Sequence, residues 1–65
     1  MNWDQIQGNW TEFKGKLREQ YGDLTDNEVE QAKGSRDQLL GILQQKYGKT
    51  REEASDAVDR MMGDR

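Results

Sequence analysis

Cysteine, histidine and proline are all missing from this 65-residue chain. Without cysteine there is no disulfide framework, no thiolate zinc site and no thiol nucleophile. Without histidine the chain lacks the commonest metal ligand and the commonest general base near neutral pH. Without proline, its helices must be ended by other residues, of which glycine is the usual one.

Large apolar side chains are scarce as well, because Leu, Ile, Val and Phe together number only ten of the 65 residues. That share lies below the roughly 20% under which chains tend toward disorder, although a net charge of −3 is too small to complete the disorder signature. The length allows one domain, residues 1–65. We expect a marginal fold, either a monomer or a weak homodimer.

Several partners and locations are disfavoured by the same composition. No apolar run exceeds two residues, so no segment is long enough to cross a bilayer, and no membrane partner is expected. The first residues lack the basic start and apolar stretch of a secretory signal, which predicts a cytoplasmic protein. A pI near 4.8 argues against nucleic acid as a partner, since affinity for phosphate backbones comes from lysine and arginine.

Apolar residues spaced by three and four predict helices along most of the chain. They define a helix over about 10–21, a short helix near 26–33 and a helix whose stripe spans 39–47. An opening helical turn is predicted over Trp3–Gln7, with Ile6 facing inward. The stripe of the last helix comprises Ala54, Ala57, Val58, Met61 and Met62. Because no stretch shows the alternation of a half-buried strand, the predicted fold class is all-α.

Capping residues mark the predicted helix starts. Thr25, Ser35 and Thr50 are each followed three residues later by Glu or Gln, which is the capping-box pattern. Asn2 and Asn9 repeat that spacing with an asparagine cap. Glycines near the predicted helix ends are expected to close the last turns in the left-handed conformation. These glycines are Gly8, Gly22, Gly34, Gly48 and Gly63.

An offset of 26 residues reveals an internal duplication. It aligns 8–22 with 34–48, and five of the fifteen positions are identical. The repeat halves, about 8–33 and 34–62, each predict a helical hairpin that is too thin to bury its own apolar face. The expected architecture is therefore a small four- or five-helix bundle built from two packed helical hairpins.

Gly15 and Gly41 occupy matching places inside the two predicted long helices. Glycine in a helix interior is about 1 kcal/mol less favourable than alanine, so its presence calls for an explanation. One interpretation is close approach of two helices where the hairpins cross. The other is a patch of backbone left open for a ligand.

No catalytic or metal-binding constellation stands out. Ser35 is explained as a cap, and neither it nor Ser55 has a histidine to activate it. We therefore predict a non-enzymatic protein without a cofactor or a metal. The basic stretch Lys14, Lys16 and Arg18 is interpreted as a solvated helix face.

A cluster of four carboxylates on the last predicted helix has two interpretations. It could hold a hard cation weakly, or it could reflect the preference for acidic residues near a helix N-terminus, offset by Arg51 and Arg60. The second interpretation is favoured because it needs no ligand. The four residues are Glu52, Glu53, Asp56 and Asp59.

Five motifs stand out along the chain: GNWTEFKGKL at 8–17, YGDLTD at 21–26, GSRDQLLG at 34–41, YG at 47–48 and REEA at 51–54. Together they resemble the CsbD-like family of small bacterial stress proteins. The resemblance covers about residues 2–60. It implies a compact fold of four or five helices and a bacterial cytoplasmic protein of the general stress response. It implies no catalytic or binding residues.

Two functional hypotheses of different classes follow. Seven glycines and a mean hydropathy of −1.28 are typical of hydrophilins, which protect other proteins through hydration and weak contacts. The alternative is an interaction module that binds an unknown protein partner through an apolar strip. In that case Trp3 contacts the partner instead of capping the core. The candidate partner-contact residues are Trp3, Ile6, Met61 and Met62.

Overall fold

A computed structural model describes residues 2–63 of the chain. Its helices are α1 (Trp3–Gly8), α2 (Trp10–Gln20), α3 (Asp26–Gly34), α4 (Arg36–Tyr47) and α5 (Arg51–Met62). No strand occurs within this range, so the predicted all-α class is confirmed, as are the five helices predicted from the apolar spacing. None of the helices between residues 2 and 63 is long and apolar enough to span a bilayer.

The core is a single cluster to which all five helices contribute. Helix α4 lies between α3 and α5 and packs most extensively against both. Its Leu39 and Leu43 are completely buried. No polar or charged side chain between residues 2 and 63 lies in the core. The buried hydrophobic residues are Ile6, Trp10, Phe13, Leu17, Leu24, Val29, Ala32, Leu39, Leu40, Leu43, Ala54, Val58 and Met62.

Most of the predicted helix starts are confirmed at the level of individual hydrogen bonds. Asn2, Thr25 and Thr50 form complete capping boxes. In each box the side-chain oxygen of the capping residue accepts from the backbone N–H three residues later, and the side chain of that later residue accepts from the backbone N–H of the capping residue. In the Thr50 box, Glu53 N donates to Thr50 Oγ1 at 3.1 Å, and Thr50 N donates to Glu53 Oε1 at 2.9 Å. At Ser35 the structure shows the first half of the box, with Gln38 N donating to Oγ at 3.1 Å.

The prediction that Asn9 caps α2 through its side chain is wrong. Asn9 is the only residue between α1 and α2, so it must end one helix and begin the next. Its backbone N–H donates to the carbonyls of Gln5 and Ile6, and its φ and ψ of −117° and 36° are not those of an extended N-cap. Its side-chain Nδ2 donates instead to Gln5 O at 3.4 Å.

Left-handed closure by glycine is confirmed at two of the five predicted positions. Gly48 and Gly63 follow α4 and α5 with φ of 65° and 79°. The prediction is wrong for the other three, whose φ is not positive. Gly8 and Gly34 are the last residues of α1 and α3, and a single residue joins each of these helices to the next. Such short connections leave no separate position for a left-handed cap.

The close helix approach predicted at Gly15 and Gly41 is also wrong. Both residues are exposed, and a Cβ added at either one would meet no atom within 4 Å. The duplicated glycines therefore do not allow helices to approach each other. The alternative, a backbone patch for a ligand, stays a prediction.

Alanine at Gly15 or Gly41 is expected to stabilise the protein, because helix propensity improves without a steric penalty. The expected gain is about 1 kcal/mol for each substitution, or a Tm increase of about 4 to 8 °C in a domain of this size. Thermal unfolding followed by circular dichroism measures it.

Gly48→Ala is the matched control. It also meets open space, but φ is +65° there, so the same change is expected to lower Tm. A loss of stability in Gly15→Ala or Gly41→Ala would contradict the open environment that the structure shows.

Candidate functional site

The first predicted contact residue, Trp3, caps an aromatic cluster. Its ring lies edge-on to Trp10 and Phe13, with centroid distances of 6.1 and 5.7 Å. Such edge-to-face pairs stabilise beyond the area that they bury. Trp10 is itself buried, and its Nε1 has no hydrogen-bond partner within residues 2–63. Trp3 therefore closes the core, as one of the two interpretations predicted.

The same face joins α1 to the end of α3. Trp3 Nε1 donates to Lys33 O at 3.0 Å, and Gln7 Nε2 donates to the same oxygen at 2.7 Å. The last carbonyls of a helix have no partner within the helix, so side chains from elsewhere stabilise them. The polar edge of Trp3 is thus already engaged within the chain.

The other three predicted contact residues lie together in a crevice that Phe13 of the aromatic cluster also lines. Ile6, Met61 and Met62 line a small crevice of about 80 Å³ beside Phe13 and Lys16. Ile6 and Met62 are each only 5% exposed, whereas Trp3 and Met61 are half-buried. The structure brings Ile6, Met61 and Met62 together. It leaves Trp3 and Met61 accessible to a partner. Their role in partner contact stays a prediction.

A second and larger concave surface lies between α2 and α5, and the sequence reasoning missed it. We call it the α2–α5 crevice. It has a volume of about 710 Å³, close to that of a small-molecule site. Its lining residues are Lys16, Glu19, Gln20, Tyr21, Lys49, Ala57, Arg60 and Met61.

The basic stretch predicted to be one solvated face is divided among three environments. Lys14 is half-buried, Lys16 enters the α2–α5 crevice, and Arg18 donates to Asp26 at 2.7 Å. Only Lys16 contributes to the concave surface. No local signal in the sequence distinguishes it, because the crevice depends on how α2 and α5 pack.

Glu53 and Asp59 of the acidic cluster on α5 are engaged within the chain. Glu53 belongs to the Thr50 capping box, and Asp59 accepts from Arg36 Nη2 at 2.8 Å. Arg51 donates to Asp37 at 2.6 Å, so its ion pair lies outside the cluster. The offset of the cluster by Arg51 and Arg60 stays a prediction. The pairing partners of Asp59 and Arg51 both come from α4, because α4 packs beside α5. Within residues 2–63, no group of three or more potential ligand side chains could hold a metal ion.

Among the described residues, Glu28, Glu53 and Tyr21 have pKa values displaced from their ordinary values. A hydrogen bond from Lys46 is the largest of the effects that lower the pKa of Glu28, followed by the backbone N–H of Thr25. The backbone N–H of Thr50 is likewise the main cause that lowers the pKa of Glu53. Burial raises the pKa of the Tyr21 phenol, and the neighbouring Tyr47 adds to the effect. Each shift carries the group further from neutral pH, whereas acid–base catalysis works best near it.

Comparison with known proteins agrees with the family resemblance that the sequence motifs show. The model of the CsbD-like family matches residues 4–56. The chain is 48% identical over 59 residues to UPF0337 protein YjbJ of Escherichia coli O6:H1, covering 91% of this chain and 86% of that protein. It is 50% identical over 58 residues to UPF0337 protein ECA0631 of Pectobacterium atrosepticum, covering 89% and 84%. No solved structure matches.

Acid is expected to destabilise the protein partly through Glu28 and Glu53. Their pKa values in the folded state lie below the ordinary 4.5, so the charged forms stabilise the fold above that pH. This contribution is lost as the pH falls through the lowered values. In Glu28→Gln/Glu53→Gln, glutamine keeps a capping oxygen but cannot titrate. The variant should be less stable than the parent at neutral pH and should converge with it in acid, in thermal melts from about pH 7 to about pH 2.

The matched control is Glu30→Gln/Glu52→Gln, which removes one exposed carboxylate from each of the same two helices. Its stability should stay closer to that of the parent across the series. Equal effects of the two double variants would contradict a specific role for the capping glutamates.

Proposed function

Because the chain belongs to the CsbD-like family, which implies a general stress-response protein, we propose that it is a non-catalytic, hydrophilin-like protectant of the cytoplasm. The observation that carries the proposal is the division between core and surface. Within residues 2–63 the core is entirely apolar, and every charged side chain keeps contact with solvent. Such a surface holds water without a dedicated binding partner.

The charges of this surface are mixed in sign and distributed between neighbouring helices. Arg18–Asp26 joins α2 to α3, Lys46–Glu28 joins α4 to α3, and both Arg36–Asp59 and Arg51–Asp37 join α4 to α5. Exposed ion pairs of this kind contribute little to stability. Mixed charges with a small net excess do favour solubility and weaken self-association. This supports a protein that stays dispersed at high concentration among other proteins.

The absence of a catalytic role is supported by the chemistry of the titratable groups. The nucleophile and base combinations that enzymes use require an activated side chain. The two glutamates with shifted pKa values are held in their charged forms by Lys46 and the capping threonines. Hydrogen bonds at two helix starts and from Lys46 account for these pKa shifts, which supports a non-catalytic role.

A helical interaction module is the second candidate, and Met61 favours it. This side chain is half-buried and lines both the small crevice and the α2–α5 crevice. Methionine adapts to varied partners. Met62 is buried, so a polar residue there would perturb the core and would not test a surface.

Protection of a labile reporter enzyme through drying or freeze–thaw tests the proposal. We expect recovered reporter activity to rise with the mass ratio of this protein to reporter, without saturation at equimolar amounts, because weak surface contacts are not stoichiometric. Recovery should exceed that obtained with an equal mass of another small folded acidic protein. Recovery no better than with that protein would contradict the protectant role.

Met61 variants separate the two candidate functions. Met61→Gln should protect as well as Met61→Leu if hydration of the surface is responsible. Lost protection in Met61→Gln alone, with helicity retained in both variants by circular dichroism, would instead favour the interaction module.

A further inference from the structure

The α2–α5 crevice gathers positive charge in a chain that is acidic overall. Three of its lining residues are cationic, namely Lys16, Lys49 and Arg60, and Glu19 is the one carboxylate among them. The net charge of the whole chain is −3. The crevice is therefore a local exception to the acidic character of the molecule.

These cations differ from the other arginines and lysines that meet at helix junctions. Arg18, Arg36, Lys46 and Arg51 each form an ion pair with a carboxylate on a neighbouring helix. Lys16, Lys49 and Arg60 form no ion pair with any residue between 2 and 63. Lys49 is close enough to Glu53 to contribute the smallest of the causes that lower its pKa. Their charge is available to an external anion.

Besides its charged residues and Gln20, the crevice is lined by three apolar or aromatic residues. Ala57 and Met61 come from α5, and Tyr21 comes from the residue after α2. The Tyr21 ring is held by an edge-on contact with Tyr47 at a centroid distance of 4.9 Å. A half-buried ring beside a methionine offers a surface on which an apolar or planar group can rest.

We propose that the α2–α5 crevice binds a small phosphate-bearing molecule, with Lys16, Lys49 and Arg60 contacting the phosphate oxygens. A guanidinium binds phosphate through two parallel hydrogen bonds, and ammonium groups add point charges. The volume of about 710 Å³ fits a metabolite-sized ligand. A long polyanion such as nucleic acid is disfavoured, because beyond the crevice it would meet an acidic surface. This binding goes beyond the proposed protective role and does not depend on it.

Titration of the isotopically labelled protein with pyrophosphate at low ionic strength, followed by amide NMR, tests the proposal. Shift changes are expected to concentrate at residues 16–21, 49 and 57–61. Sodium sulfate at matched ionic strength is the comparison, and pyrophosphate should bind more tightly. Binding should weaken with added salt, because exposed charges are screened. Adenosine diphosphate as a second probe distinguishes the source: tighter binding than pyrophosphate identifies a nucleotide-type ligand, and equal binding identifies inorganic phosphate.

Two double variants with the same change in net charge localise the site. Lys16→Gln/Arg60→Gln should weaken binding about tenfold or more, because two of three charges facing the anion are removed. Lys14→Gln/Lys33→Gln removes two lysines outside the crevice and should leave the affinity near that of the parent. Circular dichroism verifies that both variants stay folded.

Three results would overturn the proposal. The first is the absence of saturable shifts with either phosphate probe. The second is shift changes spread evenly over the surface or matched by sulfate, which would show a general ionic effect. The third is equal weakening by the two double variants, which would show that binding depends on the net charge of the protein and not on the cations of the crevice.

Discussion

Helix α4 supplies the leucines against which its neighbours pack, since Leu39, Leu40 and Leu43 are all buried. In a chain with so few large apolar side chains, α3 and α5 both pack against this one helix. Stability in such a small domain depends on few residues, because burial barely offsets the loss of conformational entropy. The aromatic cap of Trp3, Trp10 and Phe13 extends this core toward α1.

Polar interactions then determine how the ends of the helices meet. Tyr47 provides one such junction: its ring contacts Tyr21, and its Oη accepts from Asp23 N at 3.2 Å. Lys46 reinforces the same junction by donating to Asp23 O at 2.7 Å. The loop between α2 and α3 is thus fastened to the end of α4. None of these groups enters the core, so the polar atoms keep access to water and avoid the cost of desolvation.

The separation of an apolar core from a charged surface has consequences for function. An apolar core with every charged side chain between residues 2 and 63 at the surface suits a protein that works by remaining folded and dispersed, as the proposed protectant requires. The proposed anion site in the α2–α5 crevice adds a specific function to that surface, because its cations form no ion pair with any residue between 2 and 63. Weak contacts spread over the whole surface do not depend on the few residues of the crevice, so the two roles are compatible in one domain.

The local features of the fold were predictable from the sequence because their causes act over three or four residues. The apolar stripe ending at Leu17, the Thr25 and Thr50 boxes and the left-handed turn at Gly48 all follow from helix geometry and nearby side chains. At these positions the interacting groups lie within one helical turn of each other, so the sequence by itself determined them.

Only the tertiary structure decided the features that depend on distant residues. Asn9 loses its capping role because α1 and α2 meet at one residue, and Gly15 faces solvent because no helix crosses there. Arg51 pairs with Asp37 across 14 positions of sequence, and Lys16 shares a crevice with Arg60. Sequence spacing carries no information about such pairs. Their distances are set by how the helices share a limited apolar surface, which is a property of the whole packed chain.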